Sequence, residues 1–306
     1  MTSRLHPTDP APTHRTITRT RAGLAGLGVL ALTLVACGSG GDTEADSTLE
    51  RAQSEGTITV AVANERPYSW VDESGEATGA TIAMHEEIFG NLGIEDLEVV
   101  EVDWNSLIPG LNAGRFDVIS AGMSILPDRC AQAAFSEPEI MYTTTLLVPE
   151  GNPNDLSDLD SVAAAGDVTL AVQSGAIEEG YADELGISDV VKVDGAQDGW
   201  DTVSNGRADA FALTAVSLET MVSDSPDAGL ETTGAFIQEI DGVPQEGAGS
   251  TVFRQDDTAL LEAYNEEAST ILSDEQAYLD LVGEFGFTAE NRPPEDLTAA
   301  ELCAAE

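Results

Sequence analysis

The chain of 306 residues carries 56 Asp and Glu against 12 Lys and Arg, a formal charge of −44 with its three His neutral. A charge of that sign and size excludes nucleic acid as a partner, because phosphate backbones are gripped by Lys and Arg that displace counterions. Acidity keeps a chain soluble in salt and says little about its fold, so the one expectation it raises is a saline habitat.

Arg4, Arg15, Arg19 and Arg21 precede an uninterrupted small and apolar run over 22–36, a charged region followed by a hydrophobic one as in an export signal. The run falls short of the roughly twenty apolar residues that a bilayer crossing takes. It closes on Leu34, Val35, Ala36 and Cys37. Leu, a small residue and Cys in that order resemble the lipobox of bacterial lipoproteins, where cleavage before the Cys leaves it acylated as the new N-terminus. The resemblance makes 1–36 the signal peptide, Cys37 the lipidated residue and 37–50 that Cys with a flexible Gly/Ser/Asp/Thr/Glu tether. The expected location is extracytoplasmic, anchored by lipid to the outer face of the cell membrane. An ordinary secretory signal with an incidental Cys is the alternative.

Past Cys37 roughly 270 residues remain, long for one compact core and comfortable for two lobes. Over 57–63, Ile58, Val60 and Val62 alternate with Thr59 and Ala61, the period of a strand buried mainly on one side. Asn64, Glu65, Arg66 and Pro67 break it. Ile82, Ala83, Ile88, Phe89 and Leu92 then recur at helical spacing until Gly93. A strand is expected over 97–102, a short helix over 106–113 and a third strand over 116–120. After the breaker-rich 148–153 the same grammar restarts with a strand over 168–172, a helix over 177–185, a strand over 190–193, a helix over 197–205 and a strand over 208–213. The Gly-rich 241–250 leads to 251–254, and helices are expected over 257–272 and 273–285.

Strands alternating with helices predict an α/β fold in which each lobe is a mostly parallel sheet flanked by helices. Lobe 1 is assigned to 51–146 and 249–306 and is discontinuous; lobe 2 is 147–248. A two-strand hinge joins them, crossing near 144–149 and returning near 247–253. Ligands in such sheets sit beyond the carboxyl ends of the strands, here 64–68, 103–105 and 121–124. Cys130 and Cys303 remain after Cys37, and in an oxidising compartment pairing is the economical expectation. His6 and His14 leave with the leader and His85, read as a surface or half-buried helix residue, stands alone, so no metal site is expected.

The blocks 56–62 (GTITVAV), 107–117 (LIPGLNAGRFD), 122–129 (GMSILPDR) and 135–138 (FSEP), in this order, resemble the amino-acid-type solute-binding proteins of ABC importers. The resemblance runs from about residue 49 to 303. Within that family 64–68 (NERPY), 128–130 (DRC), 174–181 (SGAIEEGY), 210–214 (AFALT) and 301–303 (ELC) look most like the ectoine- and hydroxyectoine-binding lipoproteins, whose subgroup the Cys130 and Cys303 pair also fits. The resemblance implies a two-lobed periplasmic-binding-protein fold of type II and delivery of a small zwitterionic solute to permease subunits in the membrane. A polar amino acid is the next solute in line. It further implies a monomer with a lipid anchor, no cofactor and no catalysis.

A zwitterion needs a forked donor for its carboxylate and an acceptor for its cationic end. Arg129 suits the first, because guanidinium holds a carboxylate through parallel N–H groups. Tyr68 and Trp104, both just past strand ends, offer aromatic faces to a delocalised cation, and Glu65 can accept its N–H groups. Gly122 and Ser124 belong to the same motif as Arg129. Relatives often carry a third aromatic at Ser124 and a hydroxyl residue at Leu126, so the Ser124 N–H is expected to substitute. In the second lobe Ala176 and Ile177 stand where hydroxyl residues are usual, leaving Gly175 and Ile177 to contribute backbone donors at a helix start. Amino-acid binders place an Asp where this chain has Thr214, which disfavours a free α-amino acid. Two other functions stay open: a dehydratase acting on cyclohexadienyl acids through Glu65 or Glu178, and a sensor signalling to a membrane partner.

Overall fold

A computed structural model describes residues 47–304. The signal peptide, Cys37 and the tether up to residue 46 lie outside the described residues. In chain order the first run is α1 (Thr48–Glu55), β1 (Thr57–Val62), β2 (Trp70–Val71), β3 (Ala77–Thr78), α2 (Ala80–Asn91), β4 (Asp96–Glu101), α3 (Leu107–Asn112), β5 (Val118–Ser124), α4 (Pro127–Cys130), β6 (Ala134–Phe135) and β7 (Ile140–Tyr142). The second is β8 (Thr144–Pro149), α5 (Leu159–Ala165), β9 (Leu170–Gln173), α6 (Ile177–Glu184), β10 (Val190–Val193), α7 (Ala196–Ser204), β11 (Ala210–Thr214), α8 (Ala215–Asp224), β12 (Leu230–Thr232), β13 (Glu239–Ile240) and β14 (Val243–Pro244). The chain ends with β15 (Gly247–Phe253), α9 (Thr258–Leu272), α10 (Glu275–Val282) and α11 (Ala299–Cys303).

These form two main sheets, each with helices on both faces. The first has the order β4-β1-β5-β15-β6 with β7 also on β15; the second has the order β10-β9-β11-β8-β12. In each, three parallel strands carry the α/β pattern, and the strands that follow the crossings run antiparallel to them. Ile58 and Val60 pack toward α2, α9 and α10, while Ala61 faces α3 and α11, so β1 is covered on both sides. In the second sheet Leu146 and Val148 pack toward α5 and α6, and Leu147 packs toward α7 and α8. This alternation is the period of two a strand imposes.

Three expectations are corrected. The tether assigned to 37–50 runs into α1: Ser47 caps the helix, its hydroxyl accepting from the Glu50 N–H while Glu50 returns to the Ser47 N–H. That reciprocal box satisfies donors a helix start leaves free. The boundary at 146/147 would cut β8, which pairs whole with β11 and β12, and that at 248/249 would cut β15, all of which pairs within the first sheet, with β5, β6 and β7; the crossings fall at Thr143 and just before Gly247. Finally, His85 is fully buried, its Nε2 2.7 Å from Thr251 Oγ1 and its ring against Phe89 and Tyr264. Among the described residues no cluster of His, Cys, Asp and Glu could hold a metal ion, and no helix is long and apolar enough to cross a membrane.

Candidate functional site

Both sheets turn their parallel strand ends toward one place. From the first, the turn after β1 brings Glu65 and Tyr68, the end of β4 brings Trp104, and β5 ends in Ser124 with Arg129 on the adjoining α4. From the second, β9 ends in Gln173 ahead of Gly175 and the start of α6, and β11 ends in Thr214 at the start of α8. Glu65, Tyr68, Trp104, Gly122, Ser124, Ile177 and Thr214 line a single cavity together with Tyr142, Gln173 and Glu178. Its volume is ≈ 20 Å³, about the room of one water. Arg129 and Gly175 are not among the lining residues; Arg129 is bonded to the carbonyls of Ser124, which is, and of Gly175.

Arg129 is 9% exposed. Its Nη1 donates to the Ser124 carbonyl at 2.9 Å and its Nη2 to the Gly175 carbonyl at 2.6 Å, while the Trp104 ring lies 5.5 Å from the guanidinium carbon. Among the described residues no carboxylate comes within 4 Å of it. Burial lowers its proton affinity, against the opposing fields of Tyr142 and Glu178. A buried cation held by carbonyls alone is under-compensated.

Glu65 is buried and accepts from the Ser217 hydroxyl at 2.7 Å. Burial raises its carboxyl to about 7, with hydrogen bonds from Ser217 and Thr214 opposing. The Tyr142 hydroxyl donates to Ser124 Oγ at 2.5 Å. Tyr68 lies edge-on to Tyr142 and Phe287, with centroids 6.4 and 5.4 Å away. Gly122 makes room for that ring: its φ is +53°, and a Cβ there would meet Tyr68 Cδ1 at 2.5 Å. Tyr68 Oη, Gln173 Oε1 and Glu178 Oε1 are all buried here without a hydrogen-bond partner. Three such atoms around one cavity mark a place built for a polar molecule, since buried polar groups are otherwise satisfied.

Several details depart from expectation. The Ser124 carbonyl accepts from Arg129 and its hydroxyl accepts from Tyr142, two bonds not anticipated for this residue. The Gly175 N–H is engaged by Glu179, and its carbonyl accepts from both Arg129 and Trp104. Trp104, which lines the cavity with Tyr68, also lies under the Arg129 guanidinium. Cys130 and Cys303 are joined, in the pairing expected of them, by a disulfide adjacent to Arg129. Tyr142, Gln173, Glu178 and Ser217 were not picked out as binding residues. Gln173 ends a strand and was within reach of the strand-end rule; Tyr142 lies on a strand of three residues and Ser217 on a helix without a readable pattern.

A profile of the bacterial extracellular solute-binding proteins, family 3, matches residues 58–279. A probable amino-acid ABC transporter periplasmic-binding protein, y4tE of Sinorhizobium fredii, is 33% identical over 264 residues, 84% of this chain and 86% of that one. The crystal structure of EhuB in complex with hydroxyectoine superposes with a TM-score of 0.76 at 30% identity, covering 85% of this chain and 98% of EhuB. A cyclohexadienyl dehydratase of Pseudomonas aeruginosa is 29% identical over 138 residues, 45% of this chain and 51% of the enzyme.

Proposed function

The chain belongs to the bacterial extracellular solute-binding proteins, family 3, which places it outside the cytoplasm, and on that premise we infer that it is the receptor of an ABC importer for a small zwitterion. Ectoine or hydroxyectoine ranks first, because EhuB binds hydroxyectoine, and a polar amino acid ranks next. The observation that carries this reading is Arg129, buried without a carboxylate and bonded to the carbonyl of Ser124, which with Glu65 lines the cavity. The solute carboxylate takes the guanidinium fork where the Gly175 carbonyl now sits. Glu65 accepts the N–H groups of the cationic end. Tyr68, Trp104 and Tyr142 supply aromatic surface, a contact of roughly 0.5–2 kcal/mol with a cation.

With ≈ 20 Å³ between them, the two walls must part to admit any such solute. The bonds that cross from one lobe to the other, Arg129 to Gly175, Trp104 to Gly175 and Glu65 to Ser217, with the exposed Arg66–Asp224 ion pair, are therefore those that break and re-form as the hinge works. We place a lipid on Cys37 and read the receptor as a monomer that hands its solute to the permease. Isothermal titration against ectoine, hydroxyectoine, glycine betaine, proline and polar amino acids tests the reading. Saturable heat is expected from ectoine first, and no heat from any of them overturns it.

A dehydratase is the second reading, favoured by one observation: two buried carboxyls with raised proton affinity beside an Arg resemble an acid poised for catalysis. No turnover of prephenate or arogenate is expected from the purified protein; turnover would replace the receptor reading.

A further inference from the structure

Binding through Arg129 and Glu65 leaves Glu178 without a role. It sits in the first turn of α6, 1% exposed, lining the cavity with its Oε1 unpartnered. The groups facing it are Arg129 from α4, Glu65 and Tyr68 from the turn after β1, Tyr142 from β7, Thr144 from β8 and Tyr181 from its own helix. Arg129 is the single cation among these, and it makes no ion pair with Glu178.

Charge counting decides what Glu178 must do. Arg129 cancels the solute carboxylate and Glu65 cancels the solute cation. An ionised Glu178 would then be a lone negative charge sealed in a cavity, which is strongly unfavourable. In the open cleft the same carboxyl meets water and ionises as an ordinary Glu does.

We propose that closure over a net-neutral solute takes up one proton from solvent at Glu178, whose neutral carboxyl then donates a hydrogen bond inside the cavity. This rests on the solute-binding function above. Burial raises the Glu178 carboxyl to about 8; its own backbone N–H opposes, the negative charge of Glu65 adds, and Arg129 and Thr144 oppose. The sign follows from linkage: the closed state binds a proton that the open state lacks, so affinity falls as pH rises through the interval between the two proton affinities.

The test is titration of the mature chain with ectoine from about pH 5.5 to 7.5, each point in two buffers of different ionisation heat. Wild type is expected to take up about one proton per ectoine and to lose about tenfold in affinity per pH unit. Glu178→Gln, which keeps the shape and donates without titrating, is expected to bind ectoine with a flat profile and no uptake. A flat wild-type profile, or a variant that keeps the wild-type slope, overturns the role of Glu178 and leaves the receptor reading standing. No ectoine binding by wild type overturns the ectoine reading and the role of Glu178 with it. The wild-type proton count stands whether or not the variant folds.

Discussion

A guanidinium sealed among carbonyls and an indole is an unstable arrangement unless something anionic joins it, and that is why Arg129 dominates this site. Arg129→Ala is expected to weaken zwitterion binding by about 1.5–3 kcal/mol, roughly 10- to 150-fold by calorimetry. Undiminished affinity would place the carboxylate elsewhere. His85 shows the opposite use of burial. Enclosed and bonded only to Thr251, it is held neutral, with burial pushing it down to about 3. The unfolded chain protonates His near 6.5 while the folded chain does not, so stability is lost as pH falls from about 6.5 toward 3. Comparing wild type with His85→Gln in urea, the stability difference should move against wild type by about 2 kcal/mol between pH 7 and pH 4.5; an unchanged difference would mean the ring titrates normally. Arg129 could be picked out ahead of the fold because a motif and a strand end coincide there. His85 could not, since a single His on a helix carries no sign of which face is buried.

Long elements were readable because their periods repeat: β1, α2, β9, α7 and α9 come within a few residues of their expected bounds. Strands of two or three residues, such as β6, β7 and β12, hold too few positions for a period and exist because a neighbour offers its edge. Helix α1 was hidden for a different reason: its polar stretch looks like tether until the Ser47 and Glu50 box and the ion pair of Arg51 with Asp117 dock it. At the other end, α11 is tied to α4 by the disulfide, across a sequence separation of 173 residues. Closing so long a loop restricts the unfolded chain, and Cys303→Ser should cost about 2–5 kcal/mol of stability in denaturant. Because α4 carries Arg129, the same variant should also bind solute more weakly. A variant as stable as wild type would show that packing alone seats α11.

For the molecule as a whole, a charge of −44 with so few cations means that folding brings like charges together. Salt screens that repulsion, so the midpoint of thermal unfolding should climb by several degrees from low salt to about 1 M NaCl; a flat or falling midpoint would show that the surface acids are already compensated. Sequence was enough for the two α/β units and the strand-end positions of Glu65, Tyr68, Trp104 and Arg129, because hydrophobic period and motif order are properties of the chain taken one segment at a time. The partners of those residues were settled only when the lobes met. That Gly175 turns its carbonyl to Arg129, that Ser217 reaches Glu65, and that Glu178 is sealed beside them depend on groups far apart in the chain converging on one cavity, where burial and distance rather than residue type set the charge each one carries.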